Sequence, residues 1–126
     1  MAMDEQLLSR QPPHSLEAEQ AVLGSILIDS RCVADVVGLV RTEDFYLEQN
    51  REIYEAIYTM FNFSQAIDPV TVLEKMRQLG YYHDNSRDYI MQLMDITPTA
   101  ANVVRYANIV RDKAMLRGLE QAGIVR

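Results

Sequence analysis

Cysteine, glycine and histidine are scarce in this sequence, and each scarcity closes off a class of chemistry. The single cysteine, Cys32, excludes an internal disulfide and leads us to expect a reducing, cytoplasmic setting. The five glycines, at positions 24, 38, 80, 118 and 123, stand apart, and none precedes a lysine. A loop that wraps phosphates needs clustered glycines ending in Gly-Lys-Ser/Thr, so no nucleotide site of that kind is expected. His14 and His83 lie far from one another and from Cys32, without the paired spacing that metal sites use. No apolar run approaches the roughly 20 residues of a membrane-spanning helix, and the N-terminus has no basic start followed by an apolar stretch. We expect neither membrane nor metal as a partner.

What remains is enough for one domain with a core. The chain has 126 residues, 48% of them hydrophobic and 24% charged, and a domain of that length buries roughly 65–70% of the surface its unfolded chain exposes. Its net charge of −6 is uneven: residues 1–104 carry 7 Lys/Arg against 16 Asp/Glu, whereas residues 105–126 carry 5 against 2. An acidic body is a poor surface for a phosphate backbone, and a basic tail is only a weak one.

The pattern is helical throughout. Residues 1–14, ending in Pro12-Pro13, read as a flexible arm ahead of a globular head over 15–97 and a last helix within 98–126. A first helix is expected near 16–28, capped by Ser15, with Leu16, Val22, Leu23, Ile26 and Leu27 on one face and Glu17, Glu19 and Gln20 off it. Ser30 is placed to cap a short helix bearing Val33, Val36, Val37 and Val40. In TEDFY, Thr42 reads as a cap, with Phe45 and Tyr46 as core anchors. An amphipathic helix from about 48 to 62 turns Ile53, Ile57, Met60 and Phe61 inward, with Tyr54 and Tyr58 at its edge. Asp68 before Pro69 starts the next helix and Gly80 stops it, with Val72, Leu73, Met76 and Leu79 as its stripe. A helix near 86–95 turns Ile90, Leu93 and Met94 inward. The last runs from about 99 to beyond 117 with two stripes: Val103, Ala107, Val110 and Ala114, then Tyr106, Ile109 and Leu116. That is more apolar circumference than packing on one domain requires, so this helix is expected to meet a partner.

PPHSLEAEQ places His14, Ser15 and two glutamates within six positions. A nucleophilic pair needs a rigid platform and an orienting carboxylate, and neighbours beside a diproline provide neither. Helix start is the better reading, although Ala18 stands where a full capping box has Glu or Gln. The tyrosines could stack on single-stranded bases, but no Lys/Arg cluster accompanies them, and packing explains them better.

Four stretches, PPHSLEAEQAVLGSILID, TEDFY followed by NREIYEAI, IDPVTVLEKMRQLG, and TPTAANVVRYANIVRDKAMLR, occur here in the order seen in one family. Over about residues 12–117 the chain closely resembles the N-terminal domain of bacterial replicative DNA helicases of the DnaB type. The resemblance implies an all-α fold, a compact orthogonal bundle of about six helices whose last leads into a truncated helical hairpin. It also implies an assembly and primase-docking role in DNA replication without catalysis, cofactor or metal. ATP and magnesium would belong to a motor domain absent from this chain. Implied partners are the chain itself, as a dimer or higher oligomer and a hexamer in the parent protein, and the primase C-terminal domain. A helicase loader is a further candidate, and DNA is contacted only indirectly. Contact is expected through Tyr106, Ile109, Arg111, Lys113 and Leu116, with a direct single-stranded-DNA-binding module as the alternative. HDNSRDYI departs from the glycine pair the family often has before its tyrosine.

Overall fold

The computed structural model describes residues 11–123. Among them there are six α-helices and no strand: α1 (Leu16–Ile28), α2 (Val33–Val37), α3 (Glu48–Asn62), α4 (Pro69–Leu79), α5 (Ser86–Asp95) and α6 (Val103–Gln121). Two 3-10 turns, Ser30–Cys32 and Thr42–Asp44, join the early helices.

Helix α1 is the axis of the head, packed against α6, α5 and α3. Ser15 Oγ accepts from the Ala18 amide at 3.1 Å and starts it, without the reciprocal half of a capping box. Its burial corrects the one-faced reading: every residue from Val22 to Leu27 is buried, Glu19 is buried with them, and Leu16 is exposed. A helix enclosed on three sides must be apolar nearly all round. Gly24 is the point of closest approach. A Cβ there would lie 2.0 Å from Thr97 Oγ1 and 2.5 Å from the Leu93 carbonyl, so only glycine lets the end of α5 come this near.

Asp29 rather than Ser30 caps the next turn, accepting from the Arg31 amide. The short α2 follows with Val33 and Val36 buried, their β-branched preference for strand overridden by packing. Thr42 caps nothing with its side chain; Asp44 Oδ2 accepts from the Arg41 amide at 2.8 Å. Phe45 is fully buried, and so is Tyr54, expected at an edge, whose hydroxyl donates to the Val40 carbonyl at 2.9 Å. A tyrosine enters a core when its O–H finds an acceptor there.

Helix α4 begins and ends as its sequence implies. The Asp68 carboxylate accepts from the Thr71 amide while Thr71 Oγ1 accepts from the Asp68 amide, both at 2.9 Å, and Gly80 closes the helix in the left-handed region at φ 80°. In HDNSRDYI the Ser86 hydroxyl accepts from the His83 amide at 2.8 Å and the Ser86 amide donates to the His83 carbonyl at 3.0 Å, closing the turn into α5. Helix α6 starts at Val103, four residues later than expected, after turns over 100–102.

Candidate docking surface on the last helix

Two buried polar clusters hold the head in shape and aim the last helix. The first centres on Glu19. Its carboxyl oxygens accept from the Tyr46 amide at 2.7 Å, the Leu47 amide at 3.3 Å and Asn50 Nδ2 at 2.9 Å. It therefore caps α3 from α1, supplying acceptors at a helix start whose own N-cap residue, Leu47, has none to give. Asn50 Oδ1 accepts from the Tyr89 hydroxyl, and Gln20 Nε2 donates to that hydroxyl at 3.3 Å. One connected network thus joins α1, α3 and α5, and burial raises the Tyr89 phenol above its ordinary range.

The second cluster centres on Arg117, 9% exposed on α6. Its guanidinium donates to the Pro13 carbonyl at 2.8 Å and to the Asp44 carbonyl at 2.6 Å, and lies 5.5 Å from the centroid of Tyr46. The His14 ring stacks on Tyr46 at 4.1 Å. Pro13 and His14, assigned to a flexible arm, are thus part of the packed head; residues 1–10 lie outside the described region.

The five residues expected to meet a partner fall into two groups. Tyr106 and Ile109 are half-buried and pack against the core, so they do not project from it. The reason is spacing: both neighbour the buried Val103, Ala107 and Val110 closely enough to share their contact with the head. Arg111 and Leu116 are exposed, and Lys113 is partly so. Around them Val104 and Met115 are exposed too, Met115 by 60%. At the start of α6, a groove of about 300 Å³ runs between α1, the 96–99 segment and α6, lined by Glu17, Gln20, Ile96, Pro98 and Tyr106. The outer half of α6 is therefore an amphipathic surface whose one buried side chain is Arg117, with Lys113, Ala114 and Leu119 partly covered. Its exposed Arg111 and partly covered Lys113 are interspersed with Asp112 and Glu120, which dilutes the positive charge that phosphate binding would need.

Among the described residues, no group of three or more His, Cys, Asp or Glu side chains is gathered as a metal site, and no helix is long and apolar enough to cross a membrane. Cys32 is half-buried, and burial pushes its thiol up to about 11.

Residues 11–112 match the family model of the DnaB-like helicase N terminal domain. The chain belongs to that family. It is 42% identical over 115 residues to the replicative DNA helicase DnaB of Leifsonia xyli subsp. xyli, covering 90% of this chain and 25% of that protein. It is 39% identical over 115 residues to the Mycobacterium leprae replicative DNA helicase DnaB, covering 90% and 19%. The crystal structure of the N-terminal domain of DnaB helicase from Mycobacterium tuberculosis superposes with a TM-score of 0.86 at 38% identity, covering 90% of this chain and 79% of that one. The chain spans about a quarter or less of the length of these curated relatives. The match, with the six helices of the described residues, agrees with the DnaB-type N-terminal domain of about six helices that the four stretches imply.

Two buried polar side chains that shape the head are missing from the residues the sequence singles out, and both carry a signal. Glu19 stands four and seven positions before Leu23 and Ile26, on the same buried stripe. Arg117 stands seven positions after Val110 and three after Ala114, on the stripe that faces the head. In each case helical spacing marked the position as inward, while side-chain type suggested solvent.

Proposed function

We propose that this chain is the N-terminal assembly and docking domain of a replicative DNA helicase, acting in DNA replication by self-association and by binding the primase C-terminal domain. The observation that carries this is the outer half of α6. From Arg111 to Gln121 it exposes Met115 and Leu116 beside Arg111 and Lys113, with only Arg117 turned fully inward. A helix that shows apolar groups on the side away from its own core is suited to a partner's apolar face, with the rim charges setting orientation. Tyr106 and Ile109 serve this surface from below by seating the helix on the head.

In this reading the domain is not catalytic and takes no cofactor; ATP and magnesium serve a motor domain of the parent protein. That protein is a cytoplasmic hexamer, DNA reaches this domain only indirectly, and a helicase loader is a further partner. The test is titration calorimetry of the chain with the isolated primase C-terminal domain. Binding is expected, and Leu116→Ser together with Arg111→Glu should weaken it at least tenfold. Undiminished binding by that folded variant would move the contact elsewhere.

A further inference from the structure

Helices α4 and α5 take no part in the surface proposed above, and the groove between them combines exposed apolar groups with positive charge. It encloses about 360 Å³. Val70, 76% exposed, and Met91, 53% exposed, line it together with Leu73 and the buried Ile90. Single exposed apolar residues need no explanation, but two such side chains lining one concave site form an anchor position. Arg77 and Arg87 line the same groove. The Arg77 guanidinium lies 3.8 Å from the centroid of the Tyr82 ring, which holds the cation in place over an aromatic face. Among the described residues neither arginine makes an ion pair. In a body where Asp and Glu outnumber Lys and Arg by 16 to 7, two arginines without a carboxylate partner outnumber the one acid, Glu74, that lines this groove.

We propose that this groove docks an acidic amphipathic segment of a protein partner, with an apolar side chain between Val70 and Met91 and carboxylates on Arg77 and Arg87. A stacked guanidinium keeps its N–H edges free, the geometry in which it engages a carboxylate through two parallel hydrogen bonds. Glu74 lines the same groove and repels a carboxylate placed beside it, so the segment's acids must fall at the two arginines. A nucleic-acid strand fits less well: the tyrosine face is already occupied by Arg77, and the acidic body opposes a run of phosphates.

The experiment is an amide-resolved NMR titration of the whole chain with a synthetic glutamate–leucine amphipathic peptide, its lysine–leucine counterpart and an oligothymidylate. Shifts confined to Val70, Leu73, Arg77, Tyr82, Arg87 and Met91 are expected with the acidic peptide, and at least tenfold weaker binding in Arg77→Glu/Arg87→Glu. Met91→Ser, which keeps both charges, should also weaken it severalfold. Equal binding of the lysine peptide, shifts that map to α6, or preferential binding of the oligothymidylate would overturn the proposal. So would a change in solution mass of Met91→Ser, which would make the groove a contact between copies.

Discussion

The two halves of the last helix are held to the head by different physics. From Val103 to Val110 attachment is apolar and redundant: Val103, Ala107 and Val110 are buried, and Tyr106 and Ile109 pack beside them. From Arg111 onward the one buried side chain is the polar Arg117, bonded to two backbone carbonyls, while Lys113, Ala114 and Leu119 are only partly covered. Loss of one methyl group in the first half leaves the other contacts in place, whereas the second half has one anchor to lose. The head repeats this contrast. Its Glu19 network is polar but multiply connected, tying three helices through five partners. A polar tie that is fully satisfied rigidifies, and one that stands alone orients.

The comparison can be broken most sharply in the head. Glu19→Ala strands two amides and the Asn50 side chain in the interior, and about 3 kcal/mol of stability should be lost. Urea unfolding followed by circular dichroism would read this as a lower midpoint at unchanged slope. Gly24→Ala forces a methyl group against Thr97 Oγ1 and the Leu93 carbonyl, with an expected loss of about 2–3 kcal/mol in the same assay. Arg117→Ala should lower stability by only about 1–2 kcal/mol. Its signature is local: amide hydrogen exchange should quicken over residues 111–121 and around Pro13 and Asp44 while residues 103–110 keep their protection. Equal acceleration along all of α6 would erase the distinction between its halves. Met115→Ser with Leu116→Ser should change stability by less than about 0.5 kcal/mol, since both side chains are exposed, while altering association.

The smallest effect is electrostatic. Hydrogen bonds from Arg31 hold the Asp29 carboxyl below its usual range, so its folded pKa lies below the unfolded one. Its contribution is present above about pH 4 and is lost as pH falls through the folded value. Arg31→Ala should therefore return the Asp29 carboxyl toward its usual range in an NMR titration, with little change in unfolding.

Residue pattern alone placed the helices well, because caps and stops are local. Ser15, Asp68 and Gly80 act within a turn of their own position, so α1 and α4 begin directly after their caps, while α3 and α5 begin where apolar spacing puts them. What escaped was long-range. Glu19 reads as off the apolar face of the first helix, yet its partners stand 27 to 31 residues away and leave no mark beside it. Arg117 reaches across 104 residues to Pro13, which is why the diproline stretch read as an unattached arm. The proposed contact surface was displaced for a related reason. Periodicity identifies a second apolar stripe on α6, but only the packed head shows that Tyr106 and Ile109 on that stripe are already engaged while Leu116 remains outside.

Light scattering of the chain, alone and mixed with the primase C-terminal domain, tests the role assigned to the outer half of α6 most directly. A mass above the 14.5 kDa monomer is expected, with a further increase on adding the primase domain and a folded monomer for Met115→Ser/Leu116→Ser. A 14.5 kDa species that ignores the primase domain, with that variant indistinguishable from the parent, would contradict that role.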